Sequence, residues 1–205
     1  MRGLQNQQKA QFITQNPLDF PQLPPIETPI DINGLQWIDI DTAITTHKGN
    51  GLHFYIDDYK FERLWNNPDK YIELLKGYKH IIQPDFSLYY DFPVALQIYN
   101  KYRNHWLSAY YATKGITMIP NISLSTPSEY IWTLLGYPRH SVVAFSDLGA
   151  IHSKQERDIT IKAYDEMIKR LDPIQILYFT RSKTAAPSEA TVINLPFYKG
   201  ADLIG

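Results

Sequence analysis

The stretch Leu52-His53-Phe54-Tyr55-Ile56-Asp57-Asp58, running on through Tyr59 to Trp65, sets a short apolar run, a pair of acids and a helix-like segment end to end. The same order recurs four times. His80 to Pro84 leads into Asp85 and Ser87, and Ile116 to Ile122 into Asn121 and Ser123. Val142 to Phe145 leads into Ser146 and Asp147, and Ile174 to Phe179 into Thr180 and Arg181. Short apolar runs alternating with helical patterns predict an α/β fold built on a mainly parallel sheet with right-handed crossovers, either open or curled into a partial barrel. The carboxyl ends of parallel strands lie along one edge, so groups scattered in sequence are expected to meet there.

Helix punctuation supports this order. Asn67-Pro68-Asp69 opens a short helix that Gly77 closes, and Pro93 opens the longest one, which Gly115 stops. Along that helix Ala95, Ile98, Tyr99, Tyr102, Trp106 and Tyr110 form an apolar stripe at helical spacing. Thr126-Pro127-Ser128-Glu129 and Ser153 with Glu156 fit capping boxes, the second heading a helix through Leu171. Leu35 to Ile40 is a candidate further strand and Thr191 to Phe197 a candidate last strand, the second equally readable as an arm. Residues 1–33 differ: five glutamines are followed by Pro17, Pro21, Pro24, Pro25 and Pro29, which preclude a helix or an interior strand. The expected organisation is an extended, proline-rich N-terminal arm over 1–33 and a single α/β domain over 34–205.

Composition narrows the chemistry. Twenty Lys and Arg against 21 Asp and Glu leave no bulk positive field for indiscriminate nucleic-acid binding. The absence of Cys excludes disulfides, thiolate nucleophiles and Cys-based zinc sites. No apolar stretch reaches the roughly 20 residues that cross a bilayer, so a soluble, cytoplasmic protein with no membrane partner is expected. No glycine-rich phosphate loop and no Gly-x-Ser-x-Gly elbow is present. His53 and His80 are read as packing or surface residues away from the strand-end edge.

Asp58 and Asp85 are the leading acids. Alternation along a strand sends only one of Asp57 and Asp58 into a shared crevice, and Asp58 is the choice; capping the following helix is its other reading. Asp85 is otherwise a turn residue after Pro84. With Asp147 they form a three-acid set suited to magnesium or manganese, which prefer oxygen ligands. Arg103 is placed to steady developing charge, or else to bind an acid such as Asp58 or Asp85 structurally. Ser87, Tyr89, Asn121, Ser123 and Arg181 are the expected substrate-binding groups.

These residues also carry a resemblance. His53 to Pro68, Pro84-Asp85-Phe86-Ser87-Leu88-Tyr89, Asp91-Phe92-Pro93, Gln97 to Arg103, Trp106, and Gly115 to Pro120 resemble a domain-of-unknown-function family found in bacteriophages, plasmids and other mobile elements. The likeness runs from about Gly51 to Phe179. It implies an intracellular accessory protein and supplies no catalytic assignment.

Three functions follow as expectations. The first is a metal-assisted hydrolase acting on a nucleotide or nucleic acid, with Asp58 and Asp85 binding a cation or serving as acid and base, and glycoside cleavage as a variant of the same chemistry. The second is a non-catalytic protein that grips a nucleic acid or a host protein, such as an inhibitor of host defence. In the third, a scaffold, the acids are only helix caps.

Overall fold

The computed structural model describes residues 6–46, 48–124, 130–148, 154–181 and 187–195. Strands β1 (Trp37–Asp39), β2 (Gly51–His53) and β3 (His80–Ile81) form one parallel sheet in that order. Strands β4 (Val142–Ser146), β5 (Gln175–Thr180) and β6 (Thr191–Asn194) form a second, also parallel and in sequence order. The stretch Ile116 to Ile122, expected as a strand, instead links the two sheets through single parallel bridges, Ile82 to Ile119 and Asn121 to Ala144. Its amides and carbonyls serve both neighbours: Ile119 N–H donates to Ile81 (2.7 Å), and Ile122 N–H donates to Ala144 (2.9 Å).

The resulting array is curled. Trp37 on β1 meets Phe179 on β5 edge-on, with ring centroids 5.0 Å apart, while no ladder among the described residues joins β1 to β6. Alternate residues therefore part company. Tyr55, Ile82, Ile119, Val142, Ala144, Leu177, Phe179 and Ile193 fill the concave side. Leu52, Phe54 and Ile81 meet the helices on one flank, and Val143, Phe145, Ile176 and Tyr178 meet those on the other. Gly51 is required here, because a Cβ on it would stand 2.8 Å from the Trp37 indole lying across it.

The helices are α1 (Ile40–Thr46), α2 (Asp58–Asn66), α3 (Ile72–Lys76), α4 (Val94–Ala112), α5 (Tyr130–Thr133) and α6 (Lys154–Leu171), with a 3-10 turn over Pro68–Tyr71 entering α3. Helix α1 was not expected from its β-branched sequence. Asp39 compensates by accepting from both the Thr42 amide and the Thr42 hydroxyl, each at 2.8 Å. Pro93 occupies the N-cap position of α4. The two expected capping boxes depend on residues 125–129 and 153, which lie outside the described residues.

Helix α4 departs from its predicted stripe. Trp106 and Tyr110 are buried, whereas Ala95 and Tyr99 face outward and Gln97, Asn100, Lys101 and Asn104 are buried instead. The polar face is occupied by backbone: Asn104 brackets Phe86 through both its N–H and its carbonyl, Asn100 donates to the Ser87 carbonyl, and Gln97 donates to the Phe92 carbonyl. This pins the loop after β3.

Residues 6–33 contain no helix or strand, and they lie against the domain. Phe20, Leu23 and Ile30 are buried; Val142 N–H donates to the Ile26 carbonyl, and Gln175 holds the Ile30 backbone from both sides.

Candidate functional site

A cavity of about 210 Å³ opens at the carboxyl ends of the strands. Its polar lining is Asp85, Ser87, Asn121, Ser123 and Ser146 with Glu156 and Thr160 of α6, and Tyr89, Tyr90 and Phe145 add aromatic surface. Five of the expected site residues, Asp85, Ser87, Tyr89, Asn121 and Ser123, thus share one cavity.

Asp85 is its chemical centre. Oδ1 accepts from Ser123 Oγ (2.6 Å) and Asn121 Nδ2 (2.8 Å), while no described group bonds to Oδ2. Asn121 is oriented from three sides: its Oδ1 accepts from the Tyr55 hydroxyl (2.8 Å), its N–H donates to Gln83 Oε1 (2.9 Å), and its carbonyl takes the Tyr137 hydroxyl. Burial pushes the Asp85 carboxyl up to about 6, aided by the Asp58 charge and opposed by Ser123, Lys101 and Asn121. Asp85 is therefore a carboxyl that exchanges its proton close to neutrality.

Asp58, the first residue of α2, rather than its N-cap Asp57, turns toward a residue of the cavity wall. Its carboxylate accepts from the Ser87 hydroxyl (2.9 Å) and the Ser87 amide (3.1 Å), tying the start of α2 to the cavity wall. Burial raises its pKa, against the Ser87 bonds and the Arg103 charge. Asp57 is the exposed N-cap residue and pairs with Lys60 at 3.2 Å, so the capping role expected for Asp58 does not hold.

Three expected members stand elsewhere. Arg103 pairs neither with Asp58 nor with Asp85: its Nη1 grips both Glu62 oxygens (2.9 and 2.7 Å), Nη2 donates to Asn100 (2.6 Å), and the guanidinium lies 3.7 Å over the Phe86 ring. It clamps α2 to α4. Asp147 accepts from the Thr180 hydroxyl at 2.9 Å and is not a wall of the cavity. Among the described residues no three His, Asp or Glu side chains gather to hold a metal ion, so Asp58, Asp85 and Asp147 do not form the expected three-acid set. Arg181 lies near His53, lowering its pKa.

His53 packs, as expected, but its position is a correction. It ends β2 at the strand-end side, fully buried, with Nδ1 accepting the Tyr55 amide at 3.2 Å. Burial brings it down to about 4 against the pull of Asp39, so it is a neutral structural imidazole near neutrality. The residues that sequence reasoning missed are Tyr55, Gln83, Lys101, Glu156 and Tyr137. Only Lys101 carried a signal, as a charge on the face of α4 that also bears Asn100 and Asn104.

The chain matches the family described as Domain of unknown function (DUF4417) over residues 12–196. It is 35% identical over 131 residues to the Gene 1 protein of Mycobacterium phage L5, an alignment covering 64% of this chain and 57% of that protein. It is 32% identical over 133 residues to the Gene 1 protein of Mycobacterium phage D29, covering 65% of this chain and 49% of that protein. The chain thus spans about half the length of these relatives. No solved structure matches it.

Proposed function

Because the chain belongs to the DUF4417 family, with relatives encoded by mycobacteriophages, we propose that it is a phage accessory hydrolase acting in the host cytoplasm on a nucleotide or nucleic acid. The observation that carries this reading is Asp85: one carboxyl oxygen is fixed by Asn121 and Ser123, the other is left to the cavity, and the proton is exchangeable near pH 6. General acid–base catalysis asks for this combination. The ionised carboxylate takes a proton from an attacking water, and the protonated form returns one to the leaving group.

The cavity walls suit the substrate class. Tyr89 and Tyr90 line the cavity and are partly exposed, and aromatic rings of this kind can stack on a base. Ser87 is held by Asp58 and Asn100, which keeps this wall at a fixed distance from Asp85. The same exposed rings, together with Tyr59, favour a second reading, a non-catalytic protein that binds single-stranded nucleic acid or a host protein.

One experiment separates the two. Purified protein is incubated with nucleoside mono-, di- and triphosphates and with single-stranded DNA and RNA, in magnesium, manganese or EDTA, and products are resolved by chromatography. Hydrolysis of at least one substrate is expected, with Asp85→Asn slowing it about 100-fold or more at unchanged circular dichroism. No turnover of any substrate, or turnover indifferent to Asp85→Asn, overturns the enzyme. Binding without turnover that is weakened by Tyr89→Ala supports the second reading.

A further inference from the structure

Outside the cavity lining lies a buried lysine that the acid–base scheme does not use. Lys101, on α4, is wholly buried, and its Nζ has no hydrogen-bond partner among the described residues. It stands 3.7 Å from the centroid of the Tyr137 ring, on the face of the π system. The Tyr137 hydroxyl donates to the Asn121 carbonyl, and Asn121 donates to Asp85. Lysine side chain, ring, amide and carboxyl form one continuous packed chain.

A buried ammonium without hydrogen bonds is costly, and burial accordingly draws Lys101 well below its usual range. Two features oppose this. The quadrupole of an aromatic face attracts a cation and does little for a neutral amine, and the Asp85 carboxylate favours the charged form. The other titratable neighbours are His105, one turn further along α4 with its ring 4.7 Å from Tyr137, and Tyr137 itself. Tyr55 and Asp58 act on the pair from the Asp85 side. His105 is pushed far below neutrality, first by burial and then by the Lys101 charge, so it adds no positive charge.

We propose that Lys101 is a positioning residue of the cavity: its buried ammonium, seated on the Tyr137 ring that bonds to Asn121, is a counter-charge that works with the Ser123 and Asn121 hydrogen bonds to favour the ionised Asp85 carboxylate in its role as base. The proposal rests on the acid–base reading of Asp85, but its physical core is a charge coupling that can be measured without turnover.

The test is carbon-13 NMR of the full chain. In the wild type at pH 7 the Lys101 Cε resonance should report an ammonium, and the Asp85 carboxyl should titrate near pH 6. Lys101→Met, similar in shape and uncharged, should raise the Asp85 midpoint by about one pH unit, and the acid limb of any hydrolysis profile should move with it. A neutral Lys101 in the wild type, or an Asp85 midpoint unmoved in folded Lys101→Met, overturns the proposal. Should Lys101→Met not fold, Lys101→Gln replaces it, and the wild-type Lys101 resonance decides by its own position. A shifted midpoint in a protein that hydrolyses nothing upholds the coupling and removes the hydrolase.

Discussion

Replacing Asp85 with Asn should change the pH dependence of stability in a calculable way. In the folded protein the Asp85 carboxyl titrates at about 6, against a usual value of 3.8. Between these values the folded state keeps a proton that the unfolded chain has lost, so stability falls as pH rises. The contribution is full below pH 3.8 and gone once pH has risen through about 6. A separation of about two pH units corresponds to about 3 kcal/mol. An Asn at this position keeps a carbonyl oxygen for Ser123 and for Asn121 and carries no charge. The variant should therefore gain on the wild type as pH rises, by most of that 3 kcal/mol between pH 4 and 7.5. Urea unfolding at 25 °C across this range measures it, taken as the difference between the two proteins so that Asp58 and Asp147 largely cancel. A difference that stays flat with pH would refute the buried, proton-holding carboxyl on which the catalytic reading depends.

Two further outcomes test how the site is supported. Phe20, fully buried and stacked on His105 at 5.7 Å, should cost about 3–5 kcal/mol when replaced by Ala; a loss below about 1 kcal/mol would mean that residues 6–33 are dispensable to the domain. Gly136→Ala places a Cβ 2.7 Å from His105 Nδ1 and 2.9 Å from the Pro21 carbonyl at a φ of +80°, so it should destabilise by about 2 kcal/mol or more, read as a lower urea midpoint.

The alternation of apolar runs and helical segments determined the parallel α/β order by itself, because strand and helix periods reflect burial that each segment carries locally. Strand-end logic also brought Asp85, Ser87, Tyr89, Asn121 and Ser123 to one cavity. What periodicity could not carry was partnership. Arg103 of α4 binds Glu62 of α2, 41 residues away, because the two helices pack together, and Asp147 turns to Thr180 because β4 and β5 pair as neighbours in one sheet. Helix α4 hid its decisive face for the same reason. The apolar stripe gave no role to Asn100, Lys101 and Asn104, yet all three are buried, Asn100 and Asn104 against loop backbone that only the folded sheet brings to them. Local pattern thus fixed the elements and their ends, while the pairing of charges waited on contacts between segments distant in the chain.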